Sequence, residues 1–302
     1  MSTKRMTKVL GAVVVSAATL LGMALPAVAQ SRATWIGGIG VDSLAGWQQV
    51  NQEIGPIQTA REYDPGSLPS TWTDSTNFCQ SLPAILCVIS YKTPDTNVNA
   101  FVSSIPANRP APVFVVFYAE PEAHNPPFGS GQQFVDEYET QVDEIRAACA
   151  EAANCGVVKV AMIASTYNYQ PGMPGADCSY IPPASYVDKY FADAYQPRLD
   201  GLQNDPGFQG WKSCTQGTGV GRGLTEYGLG TCTNSGTWTE QAREQQLAAD
   251  AQYLSSAFPS LYLWNYYWRD DSTVGPCRDW QFPAGSVTAN EWQGIEQGTV
   301  GS

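Results

Sequence analysis

The chain has 302 residues, of which 28 are acidic and 16 basic, and its formal net charge is −12 at neutral pH. Hydrophobic residues make up 43% of the sequence and aromatic residues 11%, a composition that is typical of an ordered globular protein and excludes a disordered one. The acidic balance excludes a nucleic-acid backbone or an anionic membrane surface as the partner and favours a neutral one such as a sugar polymer. The single histidine, His124, excludes a multi-histidine metal site within one chain.

The first 29 residues have the parts of a secretory signal peptide. Three basic residues lie near the start, the apolar segment 9–25 follows, and residues 27–29 form an Ala-Val-Ala cleavage motif. A membrane anchor is the alternative, but the apolar segment is short, is interrupted by glycine and serine, and runs directly into the cleavage motif. We therefore expect cleavage near Ala29, a secreted mature chain over residues 30–302, and no membrane span.

All eight cysteines lie in the mature part, and an even number of cysteines in an exported chain predicts disulfides. The first two predicted pairs rest on short separations, whereas the last two are one choice among several pairings. The predicted pairs are Cys79–Cys87, Cys149–Cys155, Cys178–Cys214 and Cys232–Cys277. A metal site is the alternative, but the sequence has no C-x-x-C motif, and we expect neither a metal nor an organic cofactor.

Short apolar segments recur along the mature chain, several of them followed by a turn-rich stretch and a helical pattern. They are residues 34–41, 58–63, 86–91, 113–118, 157–164, 186–195, 223–226 and 261–266. Their hydrophobicity is continuous rather than alternating, which is typical of strands that are covered on both faces. No linker and no repeat of solenoid length divides them, so the sequence predicts one domain.

Two long segments between these strands show helical periodicity. In residues 131–153, apolar side chains recur every three or four positions, at Phe134, Tyr138, Val142, Ile145 and Cys149. Residues 237–258 show the same pattern, and Thr237-x-x-Glu240 predicts a capping box at the start of that helix.

Eight strands that alternate with helices predict a single-domain (β/α)8 barrel. An open, doubly wound α/β sheet is the alternative fold. Its glycine-rich phosphate-binding turn should follow a strand, whereas the glycine-rich segment 217–223 precedes one. The barrel is therefore the fold that we expect.

In such a barrel, catalytic residues lie where the strands end. Glu120 follows the fourth predicted strand and Glu226 ends the seventh, and each has aromatic neighbours. Hydrolysis of a glycosidic bond needs two carboxyl groups, one protonated to act as the acid and one ionised to act as the nucleophile. We predict that Glu120 is the acid and then the base, and that Glu226 is the nucleophile. The alternative is that both are solvated loop residues.

Aromatic residues near the two glutamates predict a sugar-binding site. Trp264, in the eighth strand, has a flat apolar face on which a sugar ring can stack. Tyr195 or Tyr227 can donate a hydrogen bond that favours the ionised form of Glu226. Tyr118 lies next to Glu120 in sequence, and apolar surroundings there are expected to raise the pKa of that glutamate.

Three charged residues, predicted at the same end of the barrel as the two glutamates, have two interpretations each. Arg61 and Lys92 close apolar strands, and each is either a substrate contact or an ion-pair partner, of Glu62 and Asp95 respectively. Glu122 competes with Glu120 for the role of the acid, but its position beyond Pro121 favours a loop or substrate contact.

These segments resemble the retaining glycoside hydrolases of clan A, and most of all family 26, whose best-known members are endo-β-mannanases. Residues 118–122 (YAEPE) are similar to the Tyr-His-Glu-Pro-Glu that follows the fourth strand in that family, and residues 225–228 (TEYG) to its Thr-Glu-Phe-Gly. Weaker similarities lie in residues 61–72, 90–92 and 186–195. The resemblance implies a barrel that hydrolyses a β-linked polysaccharide with retention, Glu120 being the acid/base and Glu226 the nucleophile.

One position departs from the family pattern. Ala119 stands where the family has histidine and the wider clan has asparagine, a neighbour that helps to bind the sugar next to the cleaved bond. Either another group such as Tyr118, Arg61 or Asn168 replaces it, or the substrate differs, or the chain is a glycan-binding barrel with weak or no catalysis. In each case we expect a monomer whose partner is a polysaccharide or oligosaccharide.

Overall fold

The computed structural model describes residues 35–41, 43–64, 66–94, 97–123, 127–196, 201–230, 232–233, 236–237, 239–269 and 279–296. Contacts within the chain divide it after Ser31, and all of these residues belong to the unit that runs from Arg32 to Ser302. The predicted signal peptide, His124, and Cys277 of the fourth predicted disulfide lie outside the described residues.

Eight parallel strands form a closed barrel, which confirms the predicted (β/α)8 fold. The strands are β1 (Ile36–Gly40), β2 (Thr59–Tyr63), β3 (Leu86–Tyr91), β4 (Val113–Phe117), β5 (Val158–Ser165), β6 (Lys189–Gln196), β7 (Gly221–Leu229) and β10 (Leu261–Tyr267). Around the barrel they follow their order in sequence, and β10 closes onto β1. Two short strands, β8 (Cys232–Thr233) and β9 (Gly236–Thr237), pair separately with each other. Each of the eight predicted segments overlaps one barrel strand.

The described residues contain six α-helices, which lie between the strands or after the last one. They are α1 (Leu44–Ile54), α2 (Val98–Ser104), α3 (Gly131–Glu151), α4 (Pro206–Thr215), α5 (Glu240–Ala257) and α6 (Val287–Glu296). Side-chain oxygens cap four of them, each accepting a hydrogen bond from a backbone N–H three residues later, at Ser43, Ser130, Asp205 and Thr239. Within the described part of the chain, none of the helices has the length and apolar character needed to cross a membrane.

The start of α5 corrects one prediction from the sequence. The N-cap of this helix is Thr239, whose hydroxyl accepts the N–H of Ala242, so Glu240 is the first helical residue. The predicted capping box from Thr237 is therefore wrong, because the backbone of Thr237 pairs with Cys232 between β9 and β8. The predicted apolar face of α5 is buried.

The apolar core has two layers, one inside the barrel and one between the strands and the helices. The inner layer consists of Leu86, Val88, Phe114, Val116, Ala119, Ala161, Ile163, Phe191 and Leu263. The outer layer contains the predicted stripe of α3 and the rings of Trp264 and Tyr266. Because successive side chains of a strand point to opposite faces, the position within each strand decides whether a residue can reach the barrel mouth.

In the described part of the chain, three disulfides connect neighbouring elements, and all three are pairs that we expected from the sequence. They are Cys79–Cys87, Cys149–Cys155 and Cys178–Cys214. The first joins a short 3-10 helix (Phe78–Ser81) to β3, the second joins α3 to the segment just before β5, and the third joins the β5–β6 connection to α4. Such cross-links stabilise a fold mainly by restricting the unfolded chain.

Candidate active site

Glu226 reaches the mouth of the barrel because β7 carries one extra residue. Leu224 pairs with Trp264 of β10, and Tyr227 pairs with Tyr266, so two residues of β7 lie where β10 has only one. A bulge of this kind changes the direction of side chains and is common next to active sites. Leu224 and Tyr227 both face the outer layer, and the side chain of Glu226 between them is directed to the mouth, where 12% of it is exposed.

Both carboxylate oxygens of Glu226 are held by hydrogen-bond donors. Oε1 pairs with Nη1 of Arg61, and Oε2 accepts a hydrogen bond from the hydroxyl of Tyr195. Arg61 is 4% exposed, so this ion pair lies in a region of low dielectric constant. Donors on both oxygens favour the ionised form of the carboxylate, as a nucleophile requires.

Asp193 extends this network beneath the mouth. Its Oδ2 lies 3.3 Å from Nη2 of Arg61, and its Oδ1 accepts a hydrogen bond of 2.7 Å from the hydroxyl of Thr225. Burial raises the pKa of Asp193, while Arg61 and Thr225 act in the opposite direction. Arg61 therefore lies between two carboxylates, Asp193 and Glu226, and is fixed by both.

Glu120 is positioned by an unusual backbone turn after β4. Tyr118 and Glu120 have φ angles of +51° and +57°, a region that non-glycine residues adopt at a cost of ~1–3 kcal/mol each. Hydrogen bonds to the neighbouring strands hold this turn: the N–H of Tyr118 donates to the carbonyl of Tyr91 at 2.6 Å, and that of Glu120 to the carbonyl of Ile163 at 2.8 Å. Strained backbone of this kind clusters at functional sites.

The surroundings of Glu120 favour its protonated form. Burial, together with the negative charge of Asp193, raises the pKa of Glu120 to about 7, although Arg61, Lys92 and a hydrogen bond with Ser165 oppose the shift. Near neutral pH the carboxyl group is therefore protonated in a large fraction of molecules. Arg61 acts on both glutamates, since it pairs with Glu226 and also stabilises the charged form of Glu120.

Glu122 is a buried support of the site and is not accessible to a substrate. The residue is fully buried, and its Oε1 accepts a hydrogen bond from the backbone N–H of Ser165. Burial raises the pKa of Glu122 well above its usual value, and the nearby charges of Glu120 and Asp193 add to the shift. Ser165 thus contacts both glutamates that follow β4.

The structure corrects the predicted roles of Trp264 and Tyr227. Both side chains are fully buried in the outer layer, where their rings meet at 5.1 Å. Trp264 also packs against Trp292 of α6, and the hydroxyl of Tyr227 donates to Asp250 of α5 at 2.6 Å. Because strand alternation and the β7 bulge direct both side chains away from the barrel axis, neither can line a sugar site at the mouth.

Other aromatic residues flank Glu226 instead. The ring of Tyr195 lies 5.3 Å from that of Tyr267, the last residue of β10, and 5.1 Å from that of Trp280 in the following loop. A Cβ added to Gly40 would lie 3.6 Å from the Tyr267 ring and 3.8 Å from Cγ of Glu226, so these two side chains share the space above that glycine. Sequence reasoning missed Tyr267 and Trp280; the signal for Tyr267 is its spacing of four residues from the inward-facing Leu263.

On the Glu120 side, Lys92 lies between two tyrosines. Its ammonium is 5.2 Å from the ring centre of Tyr118 and 5.6 Å from that of Tyr63, which is 47% exposed. The alternative partner of Lys92, Asp95, is outside the described segments. Glu62 is not the partner of Arg61, because it accepts the backbone N–H of Cys79 behind the strand.

Ala119 belongs to the barrel interior. It is 1% exposed and packs in the inner apolar layer, so no polar side chain stands at the position next to Glu120. The described residues also include no group of three or more His, Cys, Asp or Glu side chains arranged to hold a metal ion.

Comparison with known proteins establishes the fold. No family model and no curated protein sequence matches the chain. Among solved structures, it is similar to a fungal β-1,4-galactanase (TM-score 0.58, 11% identity, covering 87% of this chain and 99% of the other). It is also similar to a glucosidase from Croceicoccus marinus (TM-score 0.55, 11% identity, covering 89% of this chain and 68% of the other). A third similar structure is the endo-β-1,4-mannanase catalytic domain of Bacillus sp. JAMB-750 (TM-score 0.54, 13% identity, covering 87% of this chain and 86% of the other). At these identities the similarity shows that the chain shares the (β/α)8 fold of these proteins.

Proposed function

We propose that the chain is a retaining glycoside hydrolase that acts on a β-linked polysaccharide, of the mannan type or a related one. The observation that carries the proposal is a pair of carboxyl groups at one barrel mouth whose surroundings favour opposite protonation states. Arg61 and Tyr195 favour ionised Glu226, whereas burial and Asp193 favour protonated Glu120. The names of the similar structures, a galactanase, a glucosidase and a mannanase, support the same class of reaction.

In the proposed reaction, Glu226 attacks the anomeric carbon while Glu120 gives its proton to the departing glycosidic oxygen. The bond from the anomeric carbon to that oxygen breaks as an ester to Glu226 forms. Glu120, now ionised, takes a proton from water, and the resulting attack releases the sugar and restores both glutamates. Arg61 keeps Asp193 as a partner while Glu226 is neutral in the ester, so the guanidinium stays in place between the two steps.

Two groups of aromatic residues are the proposed sugar contacts. Tyr195 and Tyr267 lie beside the proposed nucleophile, and Tyr63 and Tyr118 lie with Lys92 beside the proposed acid. Aromatic faces pack against the apolar faces of sugar rings, and their hydroxyl groups can hydrogen-bond to sugar hydroxyls. On this proposal the cleaved bond lies between the two groups.

Ala119 favours a second candidate, a glycan-binding barrel without effective catalysis. Its methyl group is buried in the inner layer and cannot hydrogen-bond to a sugar hydroxyl, an interaction that contributes several kcal/mol to glycosidase transition states. This candidate keeps the aromatic contacts and predicts binding of polysaccharide without release of reducing ends.

A reducing-sugar assay on mannan, galactan, xylan and mixed-linkage glucan separates the two candidates. We expect release from at least one polymer and a fall of on the order of 10⁴-fold or more in Glu226→Gln. Glu151→Gln, an exposed change at the end of α3, is the matched control and should be fully active. Binding of a polymer with no release from any of them would favour the second candidate, and a fully active, folded Glu226→Gln would reject the first.

A further inference from the structure

A cavity lies at the amino-terminal end of the barrel, on the side opposite the candidate active site. Its volume is about 350 Å³. Four of the lining side chains come from the first or second residue of a strand: Phe114 of β4, Lys159 of β5, Lys189 of β6 and Tyr262 of β10. A Cβ added to Gly156, at its edge, would meet no heavy atom within 4 Å, so the cavity is open at that point.

The base of this cavity is aromatic. The ring of Phe114 packs edge-on against that of Tyr262 at 5.7 Å and against that of Phe191 at 5.1 Å. Phe114 and Phe191 belong to the inner apolar layer. The cavity therefore ends on packed rings that belong to the barrel interior.

Two half-buried lysines line the cavity. Nζ of Lys189 lies 4.8 Å from the ring centre of Tyr262, and a Cβ on Gly221 would come within 3.1 Å of it, so the glycine provides the space for this ammonium. Nζ of Lys159 donates one hydrogen bond, to the carbonyl of Cys155 at 2.9 Å, out of the three that an ammonium can make. Among the residues with described side chains, neither lysine takes part in an ion pair.

The surroundings add to this positive charge. Arg109 also lines the cavity; it is buried, its Nη2 donates to the carbonyls of Leu82 and Ile85 at 2.8 and 2.6 Å, and its Nε has no hydrogen-bond partner. Asp188 is the one acidic residue of the lining, and its Oδ2 already accepts the N–H of Val160 at 2.8 Å. Three cations and one anion therefore line this cavity, in a chain whose net charge is −12.

We propose that this cavity binds a small organic phosphate, with the phosphate on Lys159 and Lys189 and a ring or other apolar body against Tyr262 and Phe114. Two ammonium groups with free N–H donors match the oxygens of a phosphate, and charge-assisted hydrogen bonds of this kind are stronger than neutral ones. The volume lies at the lower end of the range for small-molecule sites, so it fits a single ring and its phosphate. The proposal is independent of any hydrolytic activity at the other end of the barrel.

Calorimetric titration with three probes tests the charge and the ring separately. Phenyl phosphate should bind, inorganic phosphate should bind more weakly, and phenol should show no measurable heat. Because the interaction is partly between charges at the surface, the Kd of phenyl phosphate should rise with added sodium chloride. Inorganic phosphate that binds as tightly as phenyl phosphate would overturn the aromatic contact, and no binding of phenyl phosphate at millimolar concentration and low salt would overturn the site.

Variants of the two cavity lysines test whether phenyl phosphate binds at this site. Lys159→Gln and Lys189→Gln should each raise the Kd of phenyl phosphate about fivefold, and the double variant about 25-fold. Lys212→Gln is the matched control, because Lys212 is also a half-buried lysine near an aromatic ring, 5.3 Å from the centre of Tyr253, but lies outside this cavity. Thermal unfolding of each variant confirms that it is folded, and Lys189→Arg should retain binding if the first changes lower stability. Equal weakening by Lys212→Gln would show non-specific attraction and reject the proposal.

Discussion

The two ends of the barrel use charge in different ways. At the carboxyl-terminal mouth, the buried Arg61 pairs with the buried Asp193 and with the partly exposed Glu226. At the amino-terminal end, the interior is closed by packed rings such as Phe114, and the charged groups around the rim include two half-buried lysines, Lys159 and Lys189.

This difference has an energetic consequence. Burial of an ion pair costs desolvation that its attraction does not always repay, so the network at the mouth is weak evidence for stability. Packed apolar rings, by contrast, contribute ~25 cal/mol for each Å² removed from water. The packed floor of the barrel therefore stabilises the fold, whereas the buried charges at the mouth fit the hydrolysis that we propose.

After Glu226→Gln, the largest expected effect is that of Glu120→Gln at the mouth. We expect a loss of ~10²–10⁴-fold in kcat/KM on polysaccharide, because an amide cannot supply the proton. An aryl glycoside with an acidic phenol as the leaving group needs no proton and should be affected less.

The pH profile of the unaltered protein gives a second check on Glu120. The acid must be protonated, and its pKa is raised to about 7, so kcat/KM should fall as the pH rises above that value. A value of kcat/KM that keeps rising from neutral to alkaline pH would contradict the assignment of Glu120 as the acid.

The next largest expected effect is a loss of stability at the amino-terminal end of the barrel. Phe114→Ala should lower the free energy of unfolding by ~3–5 kcal/mol, because it leaves a cavity in the inner layer. Denaturant unfolding measures this change. At a temperature well below the unfolding transition, kcat should be that of the unaltered protein. A folded variant with normal stability and reduced kcat would contradict the assignment of stability to the amino-terminal end and of chemistry to the mouth.

Asp193→Asn tests whether the charge of Asp193 raises the pKa of Glu120. It removes a negative charge that raises the pKa of Glu120, so the alkaline fall in kcat/KM should move to lower pH. Thr225→Val is the matched control, because it removes the hydrogen bond to Asp193 but keeps the charge. If the alkaline fall in kcat/KM moves by the same amount in both variants, Asp193 acts through packing rather than through its charge.

The smallest expected effect concerns two aromatic residues of β10. Trp264→Phe should lower stability by about 1 kcal/mol and leave KM unchanged, since its ring is in the outer layer. Tyr267→Ala, four residues from the inward-facing Leu263, should raise KM about tenfold through the lost sugar contact. A higher KM in Trp264→Phe, with no change in Tyr267→Ala, would contradict this assignment of the two faces.

The sequence was sufficient to predict the barrel, because eight continuous apolar segments can be counted without knowing how they pair. It could also place Glu120 and Glu226 at strand ends. It could not predict that β7 has an extra residue, and this bulge decides that Glu226 faces the mouth and Tyr227 the helices.

The remaining differences have similar physical causes. The segment LYLWNYY of β10 is apolar or aromatic on both faces, so its pattern does not show that Trp264 points outward. Asp193 was missed although it is an acid inside an apolar run, FADAY, and Trp280 comes from a loop that carries no periodic signal. For α5, two threonines precede Glu240, and only the structure shows which one is the cap.

Trapping the covalent intermediate on Glu226 tests the proposed double displacement most directly. The protein would be incubated with 2-deoxy-2-fluoro glycosides of the sugars whose polymers it cleaves, and the labelled peptide identified by mass spectrometry. The proposed mechanism predicts a single covalent adduct on Glu226, together with loss of activity, and no adduct in Glu226→Gln. An adduct on Glu120, or turnover that proceeds with inversion and without any adduct, would contradict it.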